Sequence, residues 1–197
     1  MASLRVNPSA LAHKDTHPAI SPSRPELSQA GKTVLVTGGG SGVGYAIASG
    51  FARAGASAII LTGRREHVLK SAAEKLKADW ATMNPGLAVH THPVDVASSE
   101  SIAALWSWLA ETKTVIDVLV LNAGLQSPIK SMLQLGLDGV WEAFKANVQG
   151  HMDFAERFHN QGRPDASSPA VRSRIITCQA TYIFLFTDIL DRPLPRF

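Results

Sequence analysis

The sequence alternates between short apolar runs rich in β-branched residues and longer segments with helical periodicity. The first run, Thr33-Val-Leu-Val-Thr37, precedes a glycine-rich turn, after which Val43, Ile47, Phe51 and Ala54 recur at helical spacing. Continuous β-branched runs are typical of strands that are covered on both faces of a sheet. Strands that alternate with helices of ten or more residues predict βαβ units and a parallel sheet.

The same alternation continues along the chain, so further strands and helices are predicted in turn. The predicted strands are Ser57–Thr62, Leu87–Val94, Val115–Leu121 and Arg172–Cys178, and the predicted helices are Arg65–Met83, Ser98–Glu111 and Leu137–His159. The last helix is expected to bury Trp141, Phe144, Val148 and Met152. With right-handed crossovers, this order predicts an α/β fold with a doubly wound parallel sheet, the Rossmann fold, in strand order 3-2-1-4-5.

Composition divides the chain into an arm, one globular domain and a tail. Residues 1–30 are rich in Pro, Ser and His without periodicity and are interpreted as a flexible arm. The domain spans 31–180, and residues 181–197 form an atypical tail. A hydrophobic content of 45% and a charged content of 18% are typical of a globular protein.

Charge and patterning exclude several classes of partner. The net charge of +3 comes from scattered basic residues, which argues against nucleic acid binding. No apolar run approaches the roughly 18 residues that a membrane span needs. The single cysteine, Cys178, cannot form an internal disulfide, and we expect a cytoplasmic protein. His90 and His92 share a strand face without a third ligand, so no metal site is predicted.

The turn Thr37-Gly-Gly-Gly-Ser-Gly-Val-Gly44 joins the first strand to the first helix. Glycine permits a sharp turn and close approach of the backbone to a ligand. The helix that begins there directs free N–H groups and the positive end of its dipole at an anion. The pattern therefore predicts that Gly38, Ser41, Gly42, Val43 and Gly44 bind the diphosphate of a dinucleotide.

The spacing Thr-Gly-x-x-x-Gly-x-Gly resembles the cofactor signature of the short-chain dehydrogenase/reductase family, and the resemblance covers about residues 31 to 178. The arm over Pro18–Leu27 resembles the lead-in of fungal members. Further motifs resemble those of the family at the expected element boundaries: Asp95-Val96, Asn122-Ala123-Gly124 and Asn147. The resemblance implies that 31–180 is an NAD(P)-binding domain. It implies that Asp95 bonds the adenine ring, that Asn122-Ala123-Gly124 lies beside the cofactor, and that Asn147 belongs to the catalytic set.

The end of the second strand bears on the choice of cofactor. It reads Leu61-Thr-Gly-Arg-Arg65 and carries no acid to accept the ribose hydroxyls of NAD. A guanidinium pairs well with a phosphate, so Arg64 predicts a preference for NADP(H) over NAD(H). The alternative interpretation makes Arg64 and Arg65 solvated charges at a helix start.

The resemblance implies hydride transfer between a nicotinamide cofactor and a small-molecule alcohol or carbonyl substrate. In the family a serine, a tyrosine and a lysine four residues later complete the catalytic set. Here Ala180 stands at the serine position, Tyr182 is followed four residues on by Phe186, and the last lysine is Lys145. Of the four catalytic positions, only Asn147 is matched.

Three interpretations remain open at this point. The chain is a short-chain oxidoreductase, a non-catalytic NADP(H)-binding fragment or pseudoenzyme, or an unstable translation of a damaged gene. The loss of pattern after about Cys178 predicts a truncated or misread sequence. The resemblance also implies a homo-oligomer formed through two long helices, of which the sequence supplies only the one around Trp141 to Phe158.

Overall fold

The computed structural model describes residues 17–126, 128, 130–162 and 174–177. Its strands are β1 (Thr33–Thr37), β2 (Ala58–Gly63), β3 (Ala88–Pro93), β4 (Val118–Leu121) and β5 (Arg174–Thr177). Its α-helices are α1 (Gly42–Arg53), α2 (Glu66–Trp80), α3 (Ser99–Glu111), α4 (Met132–Phe144) and α5 (Gly150–Asn160). Ahead of β1, Pro18–Ile20 and Pro25–Leu27 form single 3-10 turns.

The five strands form one parallel sheet in the order β3-β2-β1-β4-β5. Leu35 at the centre of β1 pairs with Ile60 of β2 on one side and with Leu119 of β4 on the other. The predicted doubly wound sheet and its strand order are therefore confirmed. The order reverses between β1 and β4, which is where open sheets of this type bind ligands at the carboxyl ends of their strands.

Helices cover both faces of the sheet, and this gives two apolar layers. Val34 and Val36 of β1 pack in the layer formed with α1 and α2, whereas Leu35 packs in the layer formed with α3 and α5. All three side chains are fully buried. A strand covered on both faces has no polar side to alternate with, which explains the continuous apolar runs in the sequence.

The segment predicted as one helix over Leu137–His159 is two helices joined by a π-helical turn, Lys145–Gln149. The first helix begins earlier than predicted, at Met132, because Ser131 and Gln134 form a reciprocal capping box. Gly136, with φ +70° and ψ 173°, breaks the helical conformation inside α4. A left-handed φ of this kind favours glycine.

The predicted burial of this helix was wrong. Trp141, Phe144, Val148 and Met152 are 51%, 46%, 38% and 68% exposed. The buried stripe consists instead of Ala143, Ala146, Gly150 and Phe154, of which Phe154 packs in the same apolar layer as Leu35. Both stripes have the same 3-4-4 spacing and are offset by two residues, about 200° around a helix of 3.6 residues per turn. Periodicity alone could not choose between them, and the choice of the bulkier set put the wrong side inward.

Candidate cofactor site

The turn between β1 and α1 depends on glycine at two positions. Gly38 and Gly42 have φ values of +68° and +54°, in the left-handed region that L side chains rarely adopt. The N–H of Gly39 donates a hydrogen bond of 3.1 Å to the carbonyl of Thr62, which ties the turn to the carboxyl end of β2. The backbone of the turn is thus held at the edge where the strands end.

Gly44 permits a close approach that any other residue would prevent. A Cβ at this position would overlap the carbonyl oxygen of Gly38 and come against the side-chain amide of Asn122. A Cβ at Gly38 would come against Asn122 and the backbone of Ala123. The glycines therefore let the start of α1 and the loop after β4 pack directly on the turn.

The first turn of α1 is exposed to solvent and has no capping side chain. Ser41 occupies the N-cap position, yet its side chain accepts no hydrogen bond from the first-turn N–H groups. Ser41, Gly42 and Val43 are exposed, and the first turn contains no acidic residue. An uncapped helix start with a positive dipole end is suited to an anionic ligand such as phosphate.

Thr37, the last residue of β1, connects this turn to the loop after β4. Its buried hydroxyl accepts hydrogen bonds from the backbone N–H groups of Asn122 and Ala123, at 2.9 and 3.0 Å, and donates to the carbonyl of Val120 at 3.2 Å. Thr37 is not among the predicted binding residues. The signal for this role in the sequence was a hydroxyl residue directly after the apolar run Val34–Val36 and directly before the glycines.

The loop after β4 is held from its other side by the π-helical turn. The Asn147 side chain accepts from the N–H of Leu125 at 2.8 Å and donates to the carbonyl of the same residue at 2.9 Å. One ring nitrogen of His151, Nε2, lies 2.8 Å from the carbonyl oxygen of Ala123. The predicted residues Asn122, Ala123, Gly124 and Asn147 are therefore brought together.

The loop after β3 reaches the same edge of the sheet. The backbone N–H of Asp95 donates to the Ser101 hydroxyl at 3.0 Å, and one Asp95 carboxylate oxygen accepts from the N–H of Ala97 at 3.0 Å. The carbonyl of Val96 lies against Gly150, where a Cβ would overlap it. The start of α5 thus contacts the segment that holds both Asp95 and Val96.

Arg64 and Arg65 follow β2 and are both exposed. Glu66, the acid nearest to them in the chain, pairs instead with Lys70 at 2.7 Å. This hydrogen bond holds the pKa of the Glu66 carboxyl below its usual range. Within the described part of the chain, neither arginine forms an ion pair with an acid. Both guanidinium groups therefore have no described carboxylate competing for them.

The only tyrosine in the described residues lies on α1 and serves a different contact. The Tyr45 hydroxyl donates to an Asp79 carboxylate oxygen at 3.1 Å, and the Lys75 ammonium lies 5.3 Å from the ring centroid. Burial, followed by the Asp79 contact, raises the pKa of Tyr45 to about 12. At neutral pH this phenol stays protonated, so Tyr45 is a poor general base.

The remaining residues considered for catalysis or metal binding lie partly outside the described residues. Ala180 and Tyr182 lie outside the described residues, as does Cys178, while Thr177 ends β5 and is exposed. Among the described residues, no three His, Cys, Asp or Glu side chains are grouped to bind a metal, and no helix is long and apolar enough to span a membrane. His90 and His92 lie beside the Trp108 ring, with centroids 6.2 and 5.4 Å away.

Comparison with solved structures identifies similar chains with NADP-type ligands. Pseudomonas aeruginosa RhlG, solved as an NADP active-site complex, is 27% identical with a TM-score of 0.66 over 78% of this chain and 56% of RhlG. An alcohol dehydrogenase from Thermococcus sibiricus, complexed with 5-hydroxy-NADP, is 29% identical with a TM-score of 0.58 over 66% of this chain and 52% of the dehydrogenase.

Comparison with known sequences finds similarity to short chain dehydrogenases. A short chain dehydrogenase of Pseudocercospora fijiensis is 32% identical over 151 residues, which are 76% of this chain and 46% of that protein. The chain thus spans about half the length of the curated relatives it matches. The family model for short chain dehydrogenases matches residues 32–163. The chain belongs to the short-chain dehydrogenase family.

Proposed function

We propose that this chain binds NADP(H) at the carboxyl edge of its sheet, for hydride exchange with an alcohol or carbonyl group of a small molecule. The observation that carries the proposal is the turn over Gly38–Gly44. Two glycines there have positive φ, a third excludes any side chain, and the helix start has no capping side chain. Backbone N–H groups in this arrangement fit the two phosphates of a dinucleotide.

The remaining predicted residues extend this site in two directions. Asp95 and Val96 would hold the adenine end, since the family resemblance assigns that role to this aspartate. Asn122, Ala123 and Gly124 would line the side of the cofactor nearer the sheet centre. Their loop lies directly against Gly38, which supports this arrangement.

The preference for NADP(H) rests on Arg64. Its exposed guanidinium has no described acidic partner and follows the strand end where a ribose 2′-phosphate would lie. Two of the similar solved structures contain NADP or an NADP derivative, which agrees with this proposal. Arg53, exposed at the end of α1, offers a matched arginine away from β2.

Titration of the purified chain with NADPH and NADH tests the proposal. We expect saturable NADPH binding that Arg64→Gln weakens about tenfold, the loss of one charge-assisted hydrogen bond, without a comparable effect on NADH. Arg53→Gln should leave both affinities unchanged. Absence of saturable binding to folded protein would refute the proposed function, and equal effects of the two substitutions would refute the role of Arg64.

Binding without turnover is the second candidate function. The chain has two tyrosines, Tyr45 and Tyr182, and the residues four positions later are Ser49 and Phe186, so no Tyr-x-x-x-Lys pair is present. The Asn147 side chain bonds both backbone groups of Leu125 and so holds the loop after β4. Carbonyl reduction by NADPH across a panel of aldehydes and ketones separates the candidates, because only the oxidoreductase gives measurable turnover.

We also propose that two copies of the chain associate through the exposed stripe Trp141, Phe144, Val148 and Met152. Three of them, Phe144, Val148 and Met152, line a groove of about 460 Å³ together with Asp153 and Arg157. Contiguous exposed apolar surface of this kind commonly marks an interface. Met152→Glu should shift sedimentation towards the monomer, whereas Met83→Glu, at an equally exposed methionine elsewhere, should not. A monomeric wild-type chain would rule out this interface.

A further inference from the structure

His151 is a buried histidine at the start of α5 that the proposed cofactor site does not use directly. Its Nε2 lies 2.8 Å from the carbonyl oxygen of Ala123, and its side chain is only slightly exposed. A carbonyl oxygen can only accept, so Nε2 must carry the proton and donate. Burial of this polar ring is therefore matched by a specific hydrogen bond to the loop after β4.

The peptide unit that His151 contacts lies in the middle of a loop fixed at both ends. Thr37 accepts from the N–H groups of Asn122 and Ala123, and Asn147 bonds both backbone groups of Leu125. Between these anchors, the Ala123 carbonyl is the group that contacts α5. His151 therefore sets the orientation of the central peptide in the loop.

Fixing this carbonyl also fixes the next N–H group. The carbonyl of Ala123 and the N–H of Gly124 belong to one planar trans peptide, in which the two groups point in opposite directions. Because the carbonyl is directed at His151, the N–H of Gly124 is directed away from α5. Gly124 is exposed, so this donor is accessible to a ligand at the sheet edge.

The backbone of α5 lies close enough for this contact because its first residue is Gly150. A side chain there would overlap the carbonyl of Val96 and displace the helix from the loop after β3. Gly150 and His151 together let one helical turn contact both loops of the proposed cofactor site. Neither residue is among the predicted binding residues.

We infer that His151 is a positioning residue, which orients the Ala123–Gly124 peptide so that the Gly124 N–H donates to an oxygen of the bound dinucleotide. This inference rests on the proposed function for its ligand. The positioning itself is a property of the ligand-free chain. The orientation of the loop by His151 can therefore be tested without ligand, and the hydrogen bond from Gly124 can be tested by ligand binding.

The full chain is compared with His151→Leu, which removes the donor, and with His151→Gln, whose amide restores one. His159, exposed on the same helix, provides the control substitution His159→Leu. The readouts are NADPH affinity by titration and amide hydrogen exchange at residues 123–125 without ligand. We expect His151→Leu to weaken NADPH binding about tenfold and to speed exchange at Leu125, His151→Gln to recover most of both, and His159→Leu to change neither.

Unchanged affinity and exchange in His151→Leu would overturn the inference, as would a glutamine variant no better than the leucine variant. If wild-type chain binds no NADPH, the proposed function and the ligand part both fail, and exchange at Leu125 alone decides whether His151 orients the loop. Should the leucine variant not fold, His151→Asn takes its place. Its shorter polar side chain ends before the Ala123 carbonyl, and the same outcomes apply.

Discussion

Asn122 donates two hydrogen bonds to Thr37, one from its backbone and one from its side chain. The Thr37 hydroxyl accepts from the backbone N–H of Asn122 at 2.9 Å, and the Asn122 side-chain amide donates to the Thr37 carbonyl at 3.0 Å. The two bonds join the carboxyl ends of β1 and β4 at the point where the strand order reverses. It places the glycine-rich turn beside the loop after β4.

Thr37→Val should destabilise the fold by about 2 to 4 kcal/mol, because it leaves the partly buried N–H groups of Asn122 and Ala123 without an acceptor. Thr37→Ser retains the hydroxyl, so this variant should lose much less stability. Urea unfolding followed by circular dichroism measures both variants. Equal stability of Thr37→Val and wild type would show that the hydroxyl contributes nothing.

Gly44→Ala and Gly50→Ala should have opposite effects although both glycines lie on α1. A methyl at position 44 overlaps the Gly38 carbonyl and Asn122, so NADPH binding should fall at least about tenfold and stability should drop. A methyl at position 50 meets nothing within 4 Å and should stabilise the helix by up to about 1 kcal/mol. Ligand titration and thermal unfolding compare them, and similar behaviour of the pair would contradict the close approach at Gly44.

Tyr45 should ionise late in an alkaline titration. Its pKa is raised to about 12 by burial and then by Asp79, so the folded chain holds this proton more tightly than the unfolded chain. The resulting stabilisation is complete below the unfolded value of about 10 and disappears as the pH rises through about 12. The tyrosinate absorbance of folded protein should show a step near pH 12 that Tyr45→Phe removes. A wild-type titration whose tyrosine ionisation has its midpoint near pH 10 and no later step would exclude the contact.

Asn84 should support the end of α1 from outside the helix. Its side-chain amide donates to the carbonyls of Ala52 and Ala56, at 3.1 and 2.9 Å. Asn84→Ala should destabilise the chain by about 1 to 2 kcal/mol, since both acceptors lose a partly buried donor. Asn160→Ala, at an exposed helix end, is the control and should stay within about 0.5 kcal/mol of wild type in urea unfolding.

The sheet could be predicted because its signal is local and strong. The run at Val34–Val36 is apolar since both faces are covered, and this follows from the sequence alone. The contact of Thr37 with Asn122 could not be derived in the same way, because it joins residues 85 positions apart. Likewise, Asn147 was identified by resemblance, but its bond to Leu125 depends on the π-helical turn, which leaves no periodic signal of its own.

The offset stripes of α4 and α5 assign internal packing and outward contacts to different side chains. The buried small residues are Ala143, Ala146 and Gly150, and Gly150 lets α5 approach the carbonyl of Val96 in the loop after β3. The bulky side chains of Trp141 and Met152 are exposed and take no part in that internal packing. A substitution on the outer side should therefore alter the association of two copies and leave the packing around Gly38 and Asn122 unchanged.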